Sequence, residues 1–293
     1  MPFRHPRRLT WLACLVITGM AACQPVSPTP LPATSTPLVP TATQIPMAAT
    51  VNGSGITQAE FEAELARFQS AQSALGNQVP LADASQRVLD ELIAQVLLEQ
   101  GAKEASFSVD DATLQTHIDK LVASLGSAQA LSDWEKAHGY DDESLRLALR
   151  RQIAAAWMRD KIIAGVPETA DQVHVQQILL RNATDAQQVL DELKAGSAFA
   201  DLAAANDPLT HGELGWFPQH YLPYPQVEQA AFALKPGEYS AVIETPAGYS
   251  ILFLLERDLS HRLSPDALLT LQTLALQNWL SDRRQAATII LAP

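Results

Sequence analysis

Cysteine is almost missing from this chain: Cys14 and Cys23 are the only two among 293 residues, both near the start. So few thiols cannot build a disulfide framework or a paired-cysteine metal site. Positive charge is also scarce, with 20 Lys and Arg against 32 Asp and Glu and a net charge of −12. Neutralising phosphates needs a basic face, so nucleic acid is excluded as a partner. The apolar run from Leu9 to Ile17 falls short of the roughly 20 residues that a membrane span requires. Missing too are His-Glu-x-x-His, Gly-x-Ser-x-Gly and a phosphate loop. Zinc-protease, serine-hydrolase and nucleotide chemistry therefore leave no trace, and no metal or cofactor is implied.

What is present begins with an address. Arg4, Arg7 and Arg8 precede the apolar run, and small residues follow it, which is the layout of a secretory signal over residues 1–22. Met20-Ala21-Ala22-Cys23 resembles a bacterial lipobox, which implies cleavage that leaves Cys23 as an acylated N-terminus. Cys14 would leave with the signal, so disulfides and cysteine nucleophiles are excluded from the remainder. Losing three arginines and no acid takes the net charge to −15. An acidic surface opposes electrostatic attachment to anionic lipids, so the acyl chains would hold the protein at the membrane. The expectation is an extracytoplasmic, membrane-anchored bacterial lipoprotein. Residues 23–47 carry Pro25, Pro28, Pro30, Pro32, Pro37, Pro40 and Pro46, the composition of an extended tether with a reach of up to roughly 70 Å.

Residues 48–166 read as a helical module. Val51 to Ile56 suggests a short strand or turn, and Thr57-x-x-Glu60 a capping box before Phe61, Leu65 and Phe68 on one face. Val88, Leu92 and Val96 beside Leu89, Ile93 and Leu97 form a wide stripe, as in a helix buried on more than one side. Ser108-x-x-Asp111 is read as the opening of a third helix that carries Leu114, Ile118, Leu121 and Leu125 inward and stops at Gly126. Ser132-x-x-Glu135 is read as the start of a short one ending at Gly139. The last runs from about Asp142 to Ala164 and ends at Gly165-Val166-Pro167. At the other end of the chain, within residues 259–293, Ser264-Pro265 opens a leucine-rich helix that must dock, and the earlier helices are its expected partners.

Between them, residues 167–258 change period. Strands are expected at 173–181, near 213–217, at 239–244 and at 248–257, with helices at 184–194, 199–205 and 225–234. The order VHVQQILL, KAGSAFADLAA, HGELGWF, QAAFALKPGEYS, GYSILFLLE resembles the parvulin-type peptidyl-prolyl isomerase domain, most specifically in Gly212 to Phe217 and Ala230 to Glu238. With helices from both chain ends around it, the whole is similar to SurA- and PrsA-type extracytoplasmic foldases. The resemblance implies an α+β fold: a helical chaperone-like module from both ends with an inserted parvulin domain, a small and mostly antiparallel sheet flanked by helices. It also implies that the helical module cradles unfolded chains.

Isomerising an X-Pro bond means rotating an amide over roughly 20 kcal/mol, with no bond made or broken. The family's pocket uses a methionine, a phenylalanine, two histidines on adjacent central strands and a nearby acid or thiol. By that resemblance the histidine positions are Gln177 and Ser250, a neutral pair that can still hydrogen-bond across strands. His174 lies three residues from Gln177 and so points to the opposite face. Asp207 best matches the acidic position. The methionine falls at Leu222 or Pro223 and the phenylalanine at Val227, while Phe232 keeps the later aromatic. The catalytic candidates are therefore Gln177, Asp207 and Ser250, and the substrate-binding candidates Leu222, Val227 and Phe232. His211 and His220 are read first as loop residues without a role, with entry into the site from the loop as the alternative, and Trp216 and Phe217 as core. The implied partners are unfolded or proline-containing secreted polypeptides. The implied function is a parvulin-type isomerase and foldase with weakened turnover; the alternatives are a non-catalytic peptide-binding chaperone or a scaffold lipoprotein.

Overall fold

The structure is a computed structural model that describes residues 45–292. The expected signal, Cys23 and the tether up to residue 44 lie outside those residues. The architecture is α+β.

The described residues open with a hairpin, β1 (Met47–Val51) and β2 (Ser54–Thr57). Asn52 and Gly53 turn it with φ of 51° and 82°, the left-handed pair that a two-residue hairpin turn requires. Thr57 caps α1 (Gln58–Ala74) by accepting from the Glu60 amide. The expected box is only half formed, because the Glu60 carboxylate pairs with Arg151 instead of reaching back to Thr57. In α2 (Leu81–Glu104) the wide stripe serves two cores. Val88, Leu92, Ile93 and Val96 pack under the hairpin, while Leu98 and Ala102 face a second cluster with Ala154, Ala155 and Met158.

Two helix starts differ from expectation. The cap of α3 (Asp111–Leu125) is Asp110, which accepts from the Thr113 amide, and not Ser108. Val109 just before that cap packs in the same cluster as Leu114, so an apolar pair across the first turn sets the entry point. The cap of α4 (Ala128–Ala137) is Ser127, leaving Ser132 inside the helix. Gly126, at φ 95°, ends α3 as read, but Leu125 at its end is exposed. A reciprocal Asp141–Ser144 box opens α5 (Asp142–Ala164).

Beyond Pro167 the chain enters a four-stranded antiparallel sheet in the order β4-β3-β6-β5. Its long central strands are β3 (Thr169–Leu180) and β6 (Gly248–Arg262), with β4 (Glu213–Pro218) and β5 (Ile243–Thr245) at the edges. One face is covered by α6 (Ala183–Lys194) and α7 (Phe199–Asn206) over Ile178, Leu180 and Ile251. The other carries α8 (Pro225–Ala233) over Val173, Val175, Leu252 and Leu254. The strand expected at 239–244 shortens to β5 plus an isolated bridge between Tyr239 and Phe253. The Ser240 hydroxyl takes the Leu252 amide at 2.9 Å, substituting for a ladder carbonyl and breaking the regular pairing.

The strands by which the chain enters and leaves this sheet are neighbours, with Thr169 opposite Arg262 and the Leu263 amide donating to the Glu168 carbonyl at 2.9 Å. β6 thus runs past Asp258 before α9 (Pro265–Ala286) begins, capped by Ser264. α9 returns to α2 and α5 and puts Trp279 against Gly101, where a Cβ would lie 2.6 Å from the indole ring. A last strand, β7 (Ile289–Leu291), was not anticipated. It pairs with β1 and is held at Thr288 by the Asn52 side chain. Among the described residues no helix is long and apolar enough to cross a membrane.

Candidate functional site

Gln177 sits in the middle of β3, opposite Leu252, with Ser250 diagonally across from it on β6. Both lie on the α8 face, since Val173, Val175 and Gln177 share the parity of Leu252 and Leu254. The Gln177 amide nitrogen Nε2 donates to Ser250 Oγ at 2.7 Å. Ser250 is only 1% exposed, so its hydroxyl fixes Gln177 and does not itself reach a ligand. Of the expected catalytic set, Gln177 and Asp207 remain partly open.

The loop after α7 lies against this pair. The Gln177 backbone amide donates to the Gly212 carbonyl at 2.7 Å. Gly212 has φ 74°, and a Cβ there would meet the Gln177 carbonyl at 2.2 Å, so only glycine permits the approach. Asp207 ends α7 and organises the loop. Its carboxylate accepts from the Leu209 and Thr210 amides, each at 3.1 Å, and from the Thr210 hydroxyl. The Thr210 hydroxyl first and the loop amides next hold this carboxyl below the usual aspartate range. Gln177, Leu179, Asp207, Thr210 and Leu214 line one cavity of about 140 Å³. Leu209, 94% exposed, and the exposed Leu179 add apolar surface to the same loop and strand.

The expected substrate-binding residues separate. Leu222 and Phe232 are partly exposed at the margin of the α8 core. Val227 is not: at 3% exposure it packs among Val173, Val175, Phe217 and Leu252, so it is floor and not wall. Phe232 meets Phe217 edge-on at 6.3 Å and lies under Arg257, which is itself forked onto Asp171. Sequence reasoning missed Glu228. Its buried carboxylate accepts from the backbone amides of His220, Tyr221 and Leu222 at 2.5, 3.0 and 3.1 Å. It therefore clamps the loop that presents Tyr221 and Leu222. The available signal was a carboxylate four residues before Phe232 on one helix face.

Residues 166–267 match the family of the PPIC-type PPIASE domain, and residues 37–132 match the SurA-like N-terminal domain. The chain combines these two domains. A chaperone SurA from Methylobacillus flagellatus is 29% identical over 242 residues, which cover 69% of this chain and 54% of that one. A foldase protein PrsA from Caldanaerobacter subterraneus subsp. tengcongensis is 28% identical over 243 residues, 70% of this chain and 71% of the relative. The chain thus spans little more than half of the SurA relative. The crystal structure of PrsA from Bacillus cereus aligns with 83% of this chain and 90% of its own, at 18% identity and a TM-score of 0.45.

Within the PPIC-type domain, His174 does point away from Gln177. It bonds Glu213 at 2.5 Å and stacks on Trp216, whose other neighbour is His261 at 4.0 Å between ring centroids. Trp216 is therefore a partly exposed platform between two imidazoles, whereas Phe217 is core as expected. His211 and His220 occupy left-handed loop positions, at φ 53° and 67°, and neither imidazole bonds another group among the described residues. What the arrangement offers chemically is binding without covalent chemistry. A fixed amide, an ordered carboxylate and an apolar margin can hold a peptide bond and favour its twisted form without proton transfer.

Proposed function

We propose that this protein is an extracytoplasmic parvulin-type foldase that binds proline-containing segments of secreted chains and turns over their prolyl bonds slowly. The observation that carries the reading is the Gln177–Ser250 hydrogen bond at the place where the resemblance puts two histidines, with Asp207 on the same cavity. Gln177 would donate the second hydrogen of its side-chain nitrogen to the carbonyl of the prolyl bond, while Ser250 takes the first and fixes the orientation of that nitrogen. Asp207 would order the loop around the substrate. Slow turnover follows because Val227 is buried and offers no ring to proline. Cys23 would carry the acyl chains that anchor the protein to the membrane, with the proline-rich stretch as spacer.

A protease-free isomerisation assay on an X-Pro peptide tests this in the parent chain, Gln177→Ala and Asp207→Ala. A measurable parent rate that falls in Gln177→Ala supports the reading. Background rates in all three eliminate turnover and leave peptide binding alone. For the anchor, Cys23→Ala should move the protein out of the membrane fraction.

A further inference from the structure

A second cavity, about 570 Å³, lies in the helical module between the end of β2, α1, α2 and the first half of α5. It falls within the range of pockets that hold small ligands or several side chains. Ala59, Ala63, Leu92, Leu147 and Ala148 supply its apolar lining, with Leu147 55% exposed.

Its charges are unbalanced. Glu60, Glu64, Asp141 and Glu143 line it against Arg67 and Arg151. Both guanidinium groups are already engaged. The buried Arg151 holds Glu60 and Glu99. Arg67 holds Glu64 at 2.6 Å and the His138 carbonyl at 2.7 Å, and lies over the Tyr140 ring. Asp141 caps the Ser144 amide at 2.7 Å. That leaves Glu143, whose carboxylate has no partner among the described residues. An anion would find no free cation here, and a purely apolar guest would strip water from an unpaired carboxylate. A guest with an aliphatic stem and a cationic head answers both the lining and the charge.

We propose that this cavity binds a lysine or arginine side chain of an extended polypeptide, the stem lying on Ala63, Leu92 and Ala148 and the head meeting Glu143. The interaction shares with the proposed function only the premise that the chain binds polypeptide, and it needs neither proline nor Gln177.

Fluorescence anisotropy with two short, proline-free, labelled peptides, alike except for a central Arg or Glu, tests it on the full chain. The Arg peptide should bind about two- to fivefold tighter, the range for one exposed ion pair. Glu143→Lys should reverse that order. Ala148→Trp should fill the cavity and remove binding of both peptides while an X-Pro peptide still binds the PPIC-type domain. Equal affinities for the two peptides, an order unmoved by Glu143→Lys, or no binding of either peptide would each overturn the proposal. Should Ala148→Trp fail a circular-dichroism check of folding, the exposed Glu143→Lys variant alone decides. Loss of X-Pro binding with intact Arg-peptide selectivity would instead count against the prolyl site.

Discussion

Replacing Glu228 by alanine should unfasten the loop that presents Leu222. In the parent, one carboxylate accepts three backbone amides between 2.5 and 3.1 Å, from His220, Tyr221 and Leu222. A hydrogen bond to a charged group is worth about 1.5–3 kcal/mol when its partner cannot be replaced. The loop lies at the surface, so water can serve part of what is lost. The sum should then fall at about 2–4 kcal/mol. Glu228→Gln should recover part of it, because the remaining oxygen can keep the Tyr221 and Leu222 amides while the NH₂ faces only the His220 amide. Urea unfolding measures the stability, and hydrogen exchange at the amides of 220–222 reports the clamp directly. Those three amides should lose protection, and affinity for an X-Pro peptide should drop with them. The reasoning is refuted if both variants stay within about 0.5 kcal/mol of the parent, the range of ordinary surface changes, with exchange unchanged.

Three further outcomes are expected. Gly101→Ala puts a methyl 2.6 Å from the Trp279 ring and should lower stability by about 1–3 kcal/mol in a thermal or urea melt, with Trp279→Leu restoring part of it. Ser250→Ala removes the partner of Gln177 and should cost about 1 kcal/mol while raising the mobility of the Gln177 side-chain amide seen by NMR. The folded pKa of Asp207 is depressed, so its stabilising contribution is full above the ordinary carboxylate range and is lost as pH falls through the lowered value. The 207–212 loop should therefore loosen only in acid below about pH 4, and Thr210→Val, which removes the largest cause, should move that loosening to higher pH by NMR titration.

The period of the sequence was enough to place the long helices and the central strands, because a buried stripe in α2 or the alternation in β3 repeats over many residues. The same alternation set His174 against Gln177 and brought Gln177 to the side of Ser250. Helix starts were harder. Ser108 and Ser132 satisfied the spacing rule for caps, but Val109 packing beside Leu114 selects Asp110, and Ser127 precedes a turn that buries Leu131. β7 was invisible because three residues become a strand only when β1 and Asn52 meet them from the far end of the chain. At the candidate site, the depth of Ser250 and Val227 depends on what α8 and its loop lay over the sheet, which no local pattern encodes. Glu228 was passed over because a glutamate on a helix ordinarily faces water.

The side-by-side passage of β3 and β6 out of the sheet makes the PPIC-type domain a cassette. Because Glu168 and Leu263 are already joined by one backbone hydrogen bond, excising everything between them would leave two stumps that a tight turn can splice. The helices flanking the cut would keep their mutual contacts, and a different insert could be grafted onto the same pair of stumps.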